Sequence, residues 1–181
     1  MNITDMITAL IDREGGYSNN PADKGGETIW GITVATARAF GYMGDMSAMS
    51  QQVARDIYAQ RYWRQPRLDD VALVSVLVAE EMLDTGVNMG PATAGKFLQR
   101  ALNVLNQGEQ TYPNIAVDGG VGNMTIAALK AFLAARGKSS ETVLVRMLNA
   151  QQSVRYIELA EANTTQESFE YGWQLNRVGG I

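Results

Sequence analysis

Apolar positions recur at helical spacing through most of the chain and lapse in one early stretch. Ile3, Met6, Ile7, Leu10 and Ile11 form the first inward stripe, with Asn2 placed to cap its start. Glu14 continues that stripe, four residues after Leu10 and three after Ile11, so its side chain projects on the face that packs inward. Gly15 or Gly16 supplies the stop. From Tyr17 to Thr33 turn formers replace the periodicity: Asn19-Asn20-Pro21, then Asp23-Lys24-Gly25-Gly26, then the strand-like Thr28-Ile29-Trp30. This stretch predicts a small β-hairpin near the N-terminus.

Helical patterning then resumes. Thr33 or Thr36 opens a short helix ending at Gly41, and Ser50 caps one carrying Val53, Ile57, Tyr58 and Tyr62 that Pro66 stops. Asp69 or Asp70 starts a strongly apolar helix from Val71 to about Thr85, expected to be the central buried one, with Glu80 and Glu81 emerging into solvent. Pro91 suits a first helical position ahead of the stripe Ala94, Phe97, Leu98, Ala101, Leu102, Leu105. A loop rich in Gly, Asn, Gln and Pro runs from Asn106 to Gly122. Helices follow from about Met124 to Arg136 and from Ser140 to Glu161, with a last short helix and turn around Phe169-Glu170-Tyr171-Gly172-Trp173. The fold class is mainly α (α+β).

Composition narrows the chemistry. The 181 residues, 46% of them apolar, are enough for one packed domain or two small lobes. The longest apolar run, Val71 to Ala79, is well short of the ~20 residues that cross a bilayer, and no signal-peptide pattern opens the chain, so no stable membrane insertion is expected. A net charge of -4 with scattered Lys and Arg gives no basic stripe for a phosphate backbone, which excludes nucleic acid as the expected partner. The chain has no Cys and no His. That removes disulfides, the imidazole base, the thiolate nucleophile and the usual zinc ligands, so no metal and no cofactor are expected. Any catalysis falls to Asp, Glu, Lys, Tyr, Ser or Thr.

Glu14 is the residue that stands out. Apolar neighbours and the negative end of a helix dipole both disfavour a carboxylate, and a carboxyl kept protonated near neutral pH is what a general acid requires. A structural ion pair with Arg13 is the competing account. Asp23, nine residues later across a run of turn formers, can face Glu14 over a cleft and act as base; the two would then meet the two-carboxylate requirement of glycoside hydrolysis. Thr28 can hold the attacking water by its hydroxyl, with Glu27 the competing carboxylate. Taken singly, Asp23 reads first as an Asx-turn residue before Gly25-Gly26, and Thr28 even more so as a β-branched strand residue. Tyr17, Trp30, Tyr62 and Trp63 can offer faces to sugar rings, or pack in core and rim. Asp84 and Asn88 lie one turn apart on one helix face, suited to substrate binding near the cleft, to capping, or to buried hydrogen bonding.

The run "EGGYSNNPADKGGETIWGIT" closely resembles the opening motif of the glycoside hydrolase 108 family, phage and bacterial N-acetylmuramidases. "IYAQRYW", "LDTGVNMGPATAGKFLQRALN", "VDGGVGNMTIAAL" and "YGWQLNRV" resemble the family's later blocks, including a predicted peptidoglycan-binding segment. The order Glu, Asp, Thr is also similar to the trio of phage-type lysozymes, with the Asp-to-Thr gap one residue shorter here. The resemblance implies a lysozyme-like helical fold, Glu14 as the essential acid, and cleavage of the β-1,4 bond from N-acetylmuramic acid to N-acetylglucosamine in peptidoglycan glycan strands.

Residues 1–90 are accordingly expected to form a catalytic segment, and 91–181 a helical peptidoglycan-binding segment packed against it, in a monomer. The alternatives are a lytic transglycosylase, which keeps the acid and closes an anhydro ring, and a non-catalytic wall-binding module. Without an export signal, the protein is expected to be made in the cytoplasm and to act on the cell wall in the periplasm after holin- or secretion-assisted release.

Overall fold

The computed structural model describes residues 3–14, 16–18 and 26–178, with residues 3, 9, 10, 13 and 14 described by their backbone alone. By packing, the chain divides into two compact units, Met1–Trp63 and Arg64–Ile181. The architecture is mainly helical with a two-stranded antiparallel hairpin near the N-terminus.

In the first unit, α1 (Ile3–Glu14) buries Ile7 and Ile11 and packs against α3 (Gln51–Tyr58). The Arg55 Nε–H donates to Thr8 Oγ1 at 3.3 Å across that pair. Strands β1 (Thr28–Ile29) and β2 (Ile32–Thr33) place Ile29 opposite Ile32, both buried. The strand ends at Ile29 and does not run through Trp30 as the sequence suggests. Of the two-residue hairpin turns that match strand twist, type I′ needs positive φ at both central residues, and Trp30 and Gly31 have φ of 53° and 72°. Gly31 adopts this freely and Trp30 is strained, so outside contacts must hold it. Its indole Nε1–H donates to the Met49 carbonyl at 3.0 Å, and Tyr58 Oη–H donates to the Trp30 carbonyl at 3.0 Å. α2 (Val34–Phe40) follows directly, its first turn capped by the Thr33 hydroxyl, which accepts from the Thr36 N–H.

The helix capped by Ser50 keeps α geometry only to Tyr58 and widens into a π-helical stretch at Ala59–Arg64. The next expected helix is broken in two. α4 (Leu68–Ala72) and α5 (Val76–Met89) are separated because Ser75 has extended backbone and its hydroxyl accepts the Val78 N–H, which starts a new helix there.

α5 is the centre of the second unit, packed against α4, α6 (Pro91–Leu105) and α8 (Ser140–Ala162). The sequence boundary at 90 and 91 falls inside this unit, at the Gly90 joint between α5 and α6. α7 (Asn123–Arg136) completes a core of Leu98, Leu102, Leu129, Phe132, Leu144 and Leu148. Burial of each such side chain contributes about 1.5–3 kcal/mol. α9 (Glu167–Arg177) is longer than the expected terminal turn and docks on α8, with Trp173 stacked on Tyr156 at 4.8 Å. No helix among the described residues is long and apolar enough to cross a membrane.

The 106–122 loop is fastened to α6 by amide side chains. Asn103 forms a two-bond clasp with the backbone of Ile115, at 2.8 and 2.9 Å. The buried Gln99 accepts from the Gly119 N–H and donates to Asp118 Oδ1 and the Gly120 carbonyl. The approach is close enough to demand glycine on both sides: a Cβ on Gly95 would meet the Gly119 carbonyl oxygen at 2.1 Å.

Candidate active site

α1 closes at Glu14, as the apolar stripe and the following glycines predict. The Glu14 backbone therefore sits at the helix C-terminus, among carbonyls with no partner inside the helix. Three residues beyond the described Glu14 backbone, the chain has an exposed Tyr17 and then a bridge. Ser18 and Thr28 exchange two backbone hydrogen bonds, each 2.8 Å, so the chain that leaves at Ser18 returns beside it at Thr28. Asp23 falls between those two residues and lies outside the described ones. The expected return path is thus present at both ends of its segment.

Thr28 is half-buried, starts β1 and pairs with Thr33. Glu27 precedes it, its carbonyl accepting the Val34 N–H. Trp30 is half-buried at the hairpin turn with its indole N–H committed to Met49, and Tyr17 is 45% exposed. Of the other aromatic candidates, Trp63 is buried and has no open face, while Tyr62 lies 5.4 Å from Tyr58 with the Arg61 guanidinium 5.6 Å from its ring centre.

Asp84 and Asn88 belong to the second unit. One oxygen of the Asp84 carboxylate accepts from Gln152 Nε2 at 2.8 Å, and the other meets Arg177 Nη1 at 3.3 Å, tying α5 to α8 and α9. Asn88 Nδ2 donates to the Asp84 backbone carbonyl at 2.8 Å.

Glu81 departs most from its sequence-based expectation. It does not emerge into solvent. Its carboxyl accepts from Asn149 Nδ2 at 2.9 Å and from the Thr85 hydroxyl at 3.5 Å. Burial first, and the Asp84 carboxylate second, push its pKa up to about 7 against the pull of those two hydrogen bonds. Burial and Asp84 likewise push the Tyr156 phenol up to about 12. The sequence signal was slight: Glu81, Asp84 and Thr85 share one helix face, but Asn149 and Gln152 come from 68 positions away.

Residues 7–90 match the family model described as Glycosyl hydrolase 108. That stretch of the chain is similar to the family over nearly all of its first half. Residues 93–178 match a Predicted Peptidoglycan domain. Among solved structures the chain is similar to SagA of Brucella abortus, with 25% identity, a TM-score of 0.65, and coverage of 95% of this chain and 87% of that one. No curated protein matches it. The chain is a glycoside hydrolase that acts on peptidoglycan.

Proposed function

We propose that the protein is an endolysin-type N-acetylmuramidase, hydrolysing the β-1,4 bond between N-acetylmuramic acid and N-acetylglucosamine. The observation that carries this is the match of residues 7–90, which span Glu14, Asp23 and Thr28, to a glycosyl hydrolase family. The end of α1 at Glu14 and the return of the chain at the Ser18–Thr28 bridge support the assignment of roles.

Glu14 donates its proton to the glycosidic oxygen as the bond to C1 of the muramic acid breaks, giving the departing sugar its hydroxyl. Asp23 takes a proton from a water held by the Thr28 hydroxyl, and the water oxygen bonds to C1. One water is consumed, and each cut leaves one new reducing end. The helix C-terminus favours the protonated carboxyl that the first step needs. Tyr17 and Trp30 present ring faces to the sugars.

Glu14→Gln removes the transferable proton with almost no change in shape. Release of reducing ends from purified cell walls should fall by at least ~100-fold, the lower end of general-acid contributions, with thermal unfolding unchanged. A variant that clears walls at full rate would take Glu14 out of the mechanism.

A further inference from the structure

On the outer side of the α6–α8 pair lie two adjoining hollows of about 250 and 290 Å³ that share Arg100, Ala150 and Gln151. Exposed valines mark the two ends: Val154, 54% exposed, lines one hollow and Val104, 72% exposed, the other. Phe97 lines the first from below, itself buried. The surface is thus a shallow apolar trough with a guanidinium at its middle.

The guanidinium is free to take a partner. Arg100 makes no hydrogen bond or ion pair with any described residue, although it is exposed and shared by both hollows. Gln151 donates its Nε2 to the Phe97 and Met147 carbonyls at 3.0 and 3.3 Å, which ties α8 to α6. The acidic group at the trough, Glu158, is held by Arg155 at 2.9 Å and leaves Arg100 uncompensated.

We propose that this trough binds the peptide stem of peptidoglycan, seating alanine methyls against its apolar floor and a stem carboxylate on Arg100. The proposal rests on peptidoglycan being the substrate. Charge and shape favour the stem over the glycan. Stem-bearing glycan is neutral, its lactyl carboxyl being taken up in the amide to the stem, and has no use for an unpaired guanidinium, whereas the stem carries free carboxylates and small methyl side chains. An Arg–carboxylate pair is planar and two-pronged, so the contact fixes orientation as well as charge. Binding here would hold the enzyme on stem-bearing regions of the wall.

The test uses the full chain, ¹⁵N-labelled, titrated with the free stem tripeptide L-alanyl-γ-D-glutamyl-diaminopimelate and with the same tripeptide amidated at its carboxyls. The tripeptide should shift the amide signals of Arg100, Ala150 and Gln151. Amidation, or Arg100→Ala, should each weaken binding about 10-fold, and the two together no further, as expected for loss of one charge-assisted hydrogen-bonded pair. No binding by the wild type, or equal binding by wild type and Arg100→Ala, would overturn the site. Wild-type cleavage of peptide-free glycan strands is measured alongside. Cleavage without tripeptide binding sinks this proposal and spares the hydrolase function; tripeptide binding without cleavage does the reverse.

Discussion

Glu81 sits where α5 meets α8, with Asp84 one turn away and Asn149 donating to it. Its proton has consequences for stability. The unfolded chain releases this proton near its ordinary value of 4.5, while the folded protein holds it up to about 7. Folding therefore binds a proton in that interval, and this residue's contribution to stability falls as pH climbs through it. Below the unfolded value both states are protonated and no penalty remains. Glu81→Gln, which keeps an acceptor for Asn149 and cannot ionise, should be more stable than wild type at pH 8 and flatten the decline between pH 5 and 7. Urea denaturation of both proteins across that range checks it; parallel curves would show that Glu81 is not the titrating group. At this scale the sequence was informative about position and poor about surroundings. The stripe through Leu10 and Ile11 put Glu14 at a helix end, and the chain does end its helix there. Trp30 and Glu81 were misplaced because what decides each is a contact made far along the chain, with Met49 and Tyr58 for one and Asn149 for the other.

Among the elements, α6 and its following loop behave as a single piece. The loop has no regular structure to hold it, so its backbone groups are satisfied by Gln99 and Asn103 from the helix and by Asn106 at the joint, whose Oδ1 accepts the Glu109 N–H, while the Tyr112 hydroxyl donates back to the Leu102 carbonyl of the helix at 2.8 Å. The run "VDGGVGNM" is therefore a docked helix-start turn, with the Asp118 carboxylate accepting from Gln99 and from the Gly120 N–H, which keeps it below the usual carboxylate range. Gly95→Ala should destabilise the protein by about 1–3 kcal/mol or more, since its methyl would meet backbone and not a yielding side chain. A midpoint in urea within error of wild type would mean that the loop can lift off α6 at little cost. Helices with strong caps were readable in advance: Thr33, Ser50 and Pro91 start helices where expected. The break at Ser75 was hidden because the apolar run Val71 to Ala79 continues through it, and hydrophobicity alone does not distinguish one buried helix from two.

Across the molecule, two sequence families meet between residues 90 and 93, yet the packing divides the chain at Trp63 and Arg64. The hydrolase segment thus contributes α5 to the unit that also contains the peptidoglycan domain. Periodicity alone read the mainly helical class and the early hairpin. The pairing of α5 with α8 and α9 depends on Gln152 and Arg177 meeting Asp84, contacts 68 and 93 residues apart that no local pattern encodes. The proposed chemistry makes one demand on the products as a whole. Glycan strands digested in H₂¹⁸O and read by mass spectrometry should carry one ¹⁸O on C1 of a new N-acetylmuramic acid reducing end, each product heavier by one water. An anhydro-muramic product without added water, or label on an N-acetylglucosamine end, would contradict the account.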